Sequence, residues 1–234
     1  MKRQDFIVIG CWAVILLACA LTPNFLDRFI YLTKTYPYLS SFVKFAVLAG
    51  FGESLGLRLS IGAWNRPGFG LIAHAFVWGL LGLGIKMSFT LFSTGTPAFL
   101  AELGLLDPTS ASFGARFLRA FGISLLMNCV WAPFFMTLHK ITDIHIAKNG
   151  GTMRGLFRPI DMVGALNGIN WQSLWGFVFK KLIPFFWVPA HTVTFLLPPH
   201  FQVIFAAALG VVLGVTLAMA GQKKASRPKP AEAE

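Results

Sequence analysis

Charged side chains are scarce in this chain. Only 12% of its 234 residues are Asp, Glu, Lys or Arg, whereas 56% are hydrophobic. An average soluble domain carries about 25% charged residues, because its surface has to stay hydrated. So little charge excludes an intrinsically disordered chain and argues against an ordinary soluble fold. The composition predicts an integral membrane protein.

Acidic residues are the rarer of the two charged classes. Against 20 Lys and Arg there are 9 Asp and Glu, which gives a formal net charge of +11. A basic balance can indicate nucleic-acid binding, but the segments between the basic residues are too apolar for that, and we expect no nucleic-acid partner. The charge instead indicates orientation in a membrane, because cytoplasmic loops are enriched in Lys and Arg.

Cysteine and enzyme signatures are also lacking. Cys11, Cys19 and Cys129 lie in apolar runs without C-x-x-C spacing, so the sequence predicts neither a disulfide framework nor a zinc site. The sequence has no H-E-x-x-H, G-x-S-x-G, phosphate-binding or dinucleotide-binding motif. We therefore expect no cofactor and no enzymatic activity.

Long apolar runs are what the chain does have. A helix needs about 20 mostly apolar residues to cross the hydrocarbon core of a bilayer. Six stretches qualify or nearly qualify: Phe6–Thr22, Leu39–Gly62, Leu71–Ser93, Phe117–Leu138, Trp175–Leu197 and Phe201–Ala220. The fifth is interrupted by Pro184 and Pro189. The predicted fold is an all-α, polytopic transmembrane helix bundle of about six spans.

Three segments make up the predicted organisation. Residues 1–22 form an N-terminal transmembrane helix, residues 38–221 a helical core, and residues 222–234 a disordered, basic and Pro-rich tail. The N-terminus has a second interpretation. Its basic start, short apolar run and Cys19 also resemble a cleaved signal or a lipoprotein signal in which Cys19 is lipidated.

The distribution of basic residues predicts the orientation. With six spans and an inner N-terminus, most Lys and Arg fall in inner segments, and the outer ones hold only Arg28, Lys34, Arg116 and Arg119. Both termini are then inside, in a bacterial cytoplasmic membrane or a eukaryotic organellar membrane. We expect the lipid bilayer as partner, with anionic headgroups at the basic inner loop and tail.

Small residues recur at helical spacing in two of the predicted spans. One span contains Gly52-x-x-x-Gly56, and the last carries a stripe of four small residues on one face: Ala206, Gly210, Gly214 and Ala218. Small residues let helix backbones approach closely in lipid. The pattern predicts tightly packed helices, and a homo-oligomer contact is left open.

Glu53 is the most informative charge within a span. A charged group in a membrane costs about 2.5–3.5 kcal/mol on insertion scales, so it usually faces a bundle interior or a wet cavity. An antiparallel pairing of the second and third spans would place Glu53 near Gly79 and Arg58 near His74. In the functional interpretation Glu53, His74 and Lys86 line a polar path that also includes His191 in the channel hypothesis, and Arg58 is a further intramembrane polar candidate. In the alternative they form buried ion pairs and snorkelling side chains.

Two further groups of polar residues stand out. His191 and Thr194 lie next to the prolines of the fifth span, where a discontinuous helix could line a transport site or a kinked helix could bond its hydroxyls to backbone. His139, Asp143 and His145 lie on the inner loop. Two of these are four residues apart, but no third ligand shares the helical spacing, so we expect no metal site there.

Short motifs spread over residues 38–220 point to a family. Gly52-Glu53 follows a Tyr-Pro entry, and Trp78 precedes a glycine in the next span. Ala132-Pro133 follows Met127-Asn128, and four spaced residues lie near the C-terminus: Trp187, Pro189, Phe195 and Pro199. The pattern resembles the family of the 22-kDa peroxisomal membrane protein and its mitochondrial inner-membrane relatives, the Mpv-seventeen family. Met127-Asn128 departs from it, since the family has an acid and an amide there.

The resemblance implies a small multi-span helical protein in a distant branch of the family, with a bacterial origin left open. The family is associated with non-selective channel behaviour and with metabolite or nucleotide homeostasis. Two functions follow as hypotheses. The first is a small-solute channel or pore, in which the intramembrane polar residues converge on one path. The second is a non-conducting membrane scaffold or assembly factor, in which they pair off locally.

Overall fold

A computed structural model describes residues 2–225 of the chain, with side chains as far as residue 216. Within that range every regular element is a helix. The α-helices are α1 (Arg3–Leu21), α2 (Phe25–Thr35), α3 (Pro37–Ile61), α4 (Leu71–Glu102), α5 (Phe113–Lys148), α6 (Met153–Leu156), α7 (Met162–Asn167), α8 (Trp171–Ser173), α9 (Val188–Leu196) and α10 (Pro199–Ala225). A π-helix, Leu174–Trp187, joins α8 to α9. The all-α prediction is confirmed.

Four helices are long and apolar enough to cross a membrane: α1, α4, α5 and the described part of α10. The six-span count is not confirmed. Helix α3 is long enough, but Lys44, Glu53 and Arg58 interrupt its apolar surface. The predicted fifth span is divided between the π-helix and α9. These apolar helices are compatible with a multi-pass integral membrane protein.

Helix α1 shows the membrane character most plainly. Almost none of its apolar stretch is buried against the rest of the chain, and side chains such as Val14 and Leu16 are exposed. The surface of a monomeric soluble protein rarely carries so continuous an apolar face. Such a helix is compatible with a lipid environment, because its backbone is hydrogen-bonded internally and its side chains match hydrocarbon.

Helix α3 is the centre of the bundle, since it packs against both α4 and α10. Close approach to α4 depends on Gly82, where an added Cβ would lie 2.8 Å from the Phe45 Cβ. The Ser41 hydroxyl also donates to the Gly82 carbonyl at 2.7 Å. The predicted antiparallel hairpin of the second and third spans therefore has a tight, glycine-dependent contact.

The contact between α3 and α10 contains several residues of the two predicted small-residue stripes. An added Cβ on Gly52 would lie 3.1 Å from the Val211 Cα, and one on Gly214 would lie 3.2 Å from the Gly52 carbonyl oxygen. Gly56 faces the Gly214 carbonyl, and Ala206 is buried. No described atom lies within 4 Å of a Cβ added to Gly210. The Ala218 side chain is outside the described residues.

The segment Leu174–Leu196 differs from the interrupted helix that the sequence predicts. Pro184 lies inside the π-helix, and Pro189 occupies the first turn of α9, so the chain changes helix type instead of breaking. Proline is well tolerated in a first turn, where its missing N–H has no partner to lose. Short π segments often occur at functional sites, and fourteen residues of π-helix are unusual.

The loops at one end of the bundle are held together by two glycines. Gly70 and Gly151 have φ of 73° and 69°, in the left-handed region. A Cβ on Gly70 would lie 2.6 Å from the Gly151 carbonyl oxygen, so side chains are excluded there. This contact fixes the start of α4 beside the loop that follows α5. The backbone of α10 is described to Ala225, inside the predicted tail 222–234, and the rest of that tail lies outside the described residues.

Candidate functional site

Four titratable side chains from three helices meet at the end of the bundle that carries these loops. Glu53 comes from α3, His74 from the first turn of α4, and His139 and Asp143 from the last part of α5. His139 and Asp143 are four residues apart and share one helical face. We call these four residues the polar cluster.

The distances within the polar cluster are short. His74 Nε2 lies 3.7 Å from Glu53 Oε2 and 3.6 Å from Asp143 Oδ1. His139 Nε2 lies 3.6 Å from Glu53 Oε1, and its Nδ1 lies 3.2 Å from Asp143 Oδ1. Although 3.2 Å apart, that last pair is not aligned for a hydrogen bond, and both atoms are buried without a hydrogen-bond partner among the described residues.

Neighbouring groups hold the outer side of each carboxylate. Trp78 Nε1, one turn after His74 on α4, donates to Glu53 Oε1 at 2.8 Å. Lys140 Nζ donates to Asp143 Oδ2 at 2.7 Å. Asp143 thereby keeps Oδ1 toward both histidines, whereas Glu53 faces His139 with Oε1, the oxygen that also accepts from Trp78, and His74 with Oε2. The carboxylates are therefore oriented by donors outside the cluster.

The two imidazole rings are also held in place. His74 Nδ1 lies 3.1 Å from the Gly70 carbonyl oxygen, and its ring stacks on Phe69 with centroids 5.1 Å apart. The His139 ring meets the Trp78 ring edge-on at 4.5 Å. Both histidines are about nine-tenths buried. The rings can change position little without disturbing these contacts.

The arrangement concentrates lone pairs. A neutral histidine whose Nδ1–H donates to a carbonyl has an unprotonated Nε2 on its other side. In His74 that Nε2 faces an oxygen of each of two carboxylates. Acceptors facing acceptors in a partly buried site repel one another. A shared cation, whether protons on the imidazoles or a bound metal ion, would relieve this repulsion.

A carboxylate outside the cluster provides a contrast. Asp161, at the start of α7, is exposed and accepts hydrogen bonds from Lys148 Nζ at 2.9 Å and the Gly164 N–H at 2.8 Å. These two donors, Lys148 first, hold the pKa of Asp161 below its ordinary value. Asp161 has conventional partners, whereas Asp143 Oδ1 has none among the described residues.

Arg58 and Lys86 do not join the polar cluster. Arg58 makes a two-point ion pair with Asp5 of α1, with both N···O distances 2.7 Å, and Trp64 Nε1 donates to the same carboxylate at 2.8 Å. Lys86 donates to Thr90 one turn along α4. It lies twelve residues after His74, about 18 Å along the helix axis. His74 lies beside Glu53, and the contact that the structure shows for Arg58 is with Asp5.

His191 and Thr194 lie in a different environment. The His191 ring stacks on Trp187 at 5.2 Å and meets Phe89 at 5.8 Å. The Thr194 hydroxyl donates to the Ala190 carbonyl at 3.0 Å, as in the structural alternative for this segment. We call His191 with Trp187, Phe89 and Phe195 the aromatic pocket. Of the four polar residues expected along one path, Glu53 and His74 are brought together. Lys86 and His191 lie elsewhere.

The positions that carry the family resemblance are spread through the bundle. Trp78 binds Glu53, Trp187 and Phe195 line the aromatic pocket, and Gly52 contacts α10. The others lie within or at the starts of helices: Ala132, Pro133, Pro189 and Pro199. Trp78 contacts the polar cluster, and Glu53 of the Gly52-Glu53 pair belongs to it.

Sequence reasoning missed two features of the site. It named His139 and Asp143 but assigned them to an exposed loop, whereas α5 continues to Lys148 and turns both inward. Their four-residue spacing was the available signal. Asp5 was also missed as the partner of Arg58, and its single acidic charge near the start of an apolar helix could have indicated it. Neither the spacing of His139 and Asp143 nor the lone charge of Asp5 shows which residues of other helices they contact.

Comparison with known proteins gives no relative. No protein-family model, no curated protein and no solved structure matches this chain. The resemblance to the Mpv-seventeen family therefore stays a prediction, and the fold and the polar cluster are the basis for any statement about function.

Proposed function

We propose that this chain is a multi-pass membrane protein that moves a small cationic solute, and that the polar cluster is the site at which the solute is bound during passage. The observation that carries the proposal is the convergence of Glu53, His74, His139 and Asp143 from three helices. Ionisable residues among membrane helices commonly mark ion and proton pathways.

The position of Glu53 supports this proposal over simple charge neutralisation. Its carboxylate contacts Trp78 and the two histidines, and its side chain is mostly buried. The nearby basic side chains have other partners, since Arg58 pairs with Asp5 and Lys44 donates to Thr33. A carboxylate kept among histidines retains the capacity to attract a cation.

The proposed membrane arrangement follows from the same contacts. We place six crossings in the chain by adding α3 and the π-helix with α9 to the four apolar helices. Both termini are inside, and the basic loops after α3 and α5 face anionic headgroups. The polar cluster then lies near the inner membrane surface. The membrane is a bacterial cytoplasmic membrane or, following the family resemblance, an organellar one.

Flux through reconstituted liposomes tests the proposed function. The full chain is reconstituted, and proton and monovalent-cation flux is measured with pH-sensitive and cation-sensitive dyes inside the vesicles. We expect flux above empty vesicles, and a loss of most of it in Glu53→Gln. Glu102→Gln is the matched control, because Glu102 is exposed at the far end of α4. Wild-type vesicles that conduct no more than empty ones would reject transport.

A non-conducting scaffold is the second candidate function. It is supported by the local pairing of Arg58 with Asp5 and of Lys86 with Thr90, which keeps both basic side chains away from the polar cluster. The same liposomes distinguish the two functions. A correctly folded wild-type protein without flux favours the scaffold, whereas flux that depends on Glu53 excludes it.

A further inference from the structure

We infer that the polar cluster is a binding site for a divalent transition-metal ion, with Glu53, His139 and Asp143 as ligands and His74 next to the open side. The inference rests on the proposed function only in taking this cluster as the functional site. It goes further by naming the class of ion that the site holds.

The spacing of the donor atoms fits a metal ion. Glu53, His139 and Asp143 each offer one ligand atom, and these atoms lie within 4.8 Å of one another. In a tetrahedral site with metal–ligand distances of about 2.0–2.2 Å, the ligand atoms are about 3.3–3.6 Å apart. His139 Nδ1 and Asp143 Oδ1, 3.2 Å apart, are close to that spacing. An inward shift of the Glu53 carboxylate toward this pair would complete the ligand set.

Two buried atoms of the cluster lack any other partner. His139 Nδ1 and Asp143 Oδ1 make no hydrogen bond within the described part of the chain, although His139 is only 8% exposed. Buried polar atoms are almost always satisfied in native proteins, so each exception needs an explanation. A shared ion explains both atoms at once, since it would accept a lone pair from each.

The groups around the cluster resemble the outer shell of a metal site. Metal-binding histidines usually donate their other ring N–H to a carbonyl or carboxylate, and ligating carboxylates are themselves hydrogen-bonded. His74 has the Gly70 carbonyl at its Nδ1, Trp78 donates to Glu53, and Lys140 donates to Asp143. These contacts leave the free lone pairs directed toward one another.

The donor set selects the class of metal. Imidazole nitrogen together with carboxylate oxygen suits Zn²⁺, Co²⁺, Fe²⁺ and Mn²⁺, whereas Ca²⁺ and Mg²⁺ prefer oxygen alone and Cu⁺ prefers sulfur. The three cysteines, Cys11, Cys19 and Cys129, take no part in the cluster. The two carboxylates also supply the two negative charges that balance a divalent ion.

Cobalt titration tests the inference directly. The tag-free full chain is purified in detergent, stripped with a chelator and titrated with Co²⁺, whose visible absorption reports nitrogen and oxygen coordination. Zn²⁺ is then added as a competitor. We expect one Co²⁺ per chain, displaced by one Zn²⁺. We also expect Zn²⁺ to raise the midpoint of thermal unfolding, because a ligand that binds only the folded state stabilises it.

Variants locate the site. Glu53→Gln and His139→Gln should each weaken Co²⁺ binding at least tenfold, since even outer-shell changes cost about 10–100-fold in affinity. Glu102→Gln and His200→Gln are matched controls outside the cluster and should bind Co²⁺ as the wild type does. Far-UV circular dichroism checks that each variant is folded, and Asp143→Asn replaces any cluster variant that is not.

Two outcomes would overturn the inference. One is a folded wild type without cobalt absorption, in which case the cluster is shared by protons only. The other is binding that survives in all cluster variants. Metal binding is measured in detergent without any flux, so liposomes that fail to conduct would reject transport and leave the metal site standing. Flux without metal binding would support transport and reject the metal site.

Discussion

The polar cluster and the aromatic pocket both bury histidine, but they surround it differently. His139 and His191 are equally buried, each with 8% of its surface exposed. The neighbours of His139 are two carboxylates and the edge of Trp78, whereas those of His191 are three aromatic rings and the Thr194 hydroxyl. The first environment presents negative charge to the ring. The second presents mostly apolar aromatic surface.

The comparison teaches that burial alone does not identify a functional histidine. In the aromatic pocket the ring fills space, and its Nδ1 lies 3.4 Å from the Thr194 hydroxyl. In the polar cluster the ring separates two carboxylates that would otherwise face each other with only His74 between them. Phenylalanine has a similar shape and no charge. Replacing histidine by phenylalanine should therefore destabilise the protein much more at position 139 than at position 191.

His139→Phe should have the largest effect. It removes the imidazole that faces both Glu53 and Asp143. Two partly buried carboxylates then lose this shared partner. Removing one partner of a buried charge pair costs about 3–5 kcal/mol. Both carboxylate side chains are 23% exposed, so we expect a loss of about 2–3 kcal/mol in the free energy of unfolding. Denaturant unfolding in detergent, followed by circular dichroism, measures it. An unchanged midpoint would show that the ring is only packing.

Trp78→Phe should have an intermediate effect. It keeps an aromatic ring against His139 but removes the N–H that donates to Glu53 Oε1 at 2.8 Å. Hydrogen bonds to charged groups contribute about 1.5–3 kcal/mol. We expect a loss near the lower end of that range, because water can reach part of the Glu53 carboxylate. Combining Trp78→Phe with Glu53→Gln should cost less than the sum of the two single changes, and simple additivity would contradict a direct contact.

His191→Phe should have the smallest effect. The aromatic pocket already presents Trp187, Phe89 and Phe195 to the ring, and a phenylalanine of similar volume fits the same contacts. Volume-conserving exchanges in a core usually cost less than about 1.5 kcal/mol. The expected change in unfolding free energy is below about 1 kcal/mol, measured beside His139→Phe under the same conditions. A larger loss than that of His139→Phe would reverse the comparison.

The apolar helices could be predicted from the sequence because apolarity is a local property. The stretches Leu71–Ser93 and Phe117–Leu138 both lie within observed helices, α4 and α5. Their ends were placed too early, since α5 continues for ten residues after Leu138. A search for apolar runs stops at the first polar residues, here His139 and Lys140, although the backbone stays helical. Two of the four residues of the polar cluster, His139 and Asp143, lie in that extension.

The partners of the charged residues could not be predicted in the same way. Glu53 was recognised as exceptional because a carboxylate in an apolar run is costly wherever it points. Which residues it meets depends on how far α3, α4 and α5 are rotated and shifted along one another. A rotation of one residue, about 100° around a helix, would turn any of these side chains away.

The sequence by itself determined the class of this protein: a helical, apolar chain with very few charges, one of them Glu53 inside a predicted span. Only the tertiary structure decided that Glu53 meets His74, His139 and Asp143, and that Arg58 meets Asp5. The physical reason is that helix formation and membrane affinity follow from short stretches of sequence. The meeting of charges follows from close packing at glycine contacts such as those of Gly82 and Gly52, where neighbouring backbones set the register between helices.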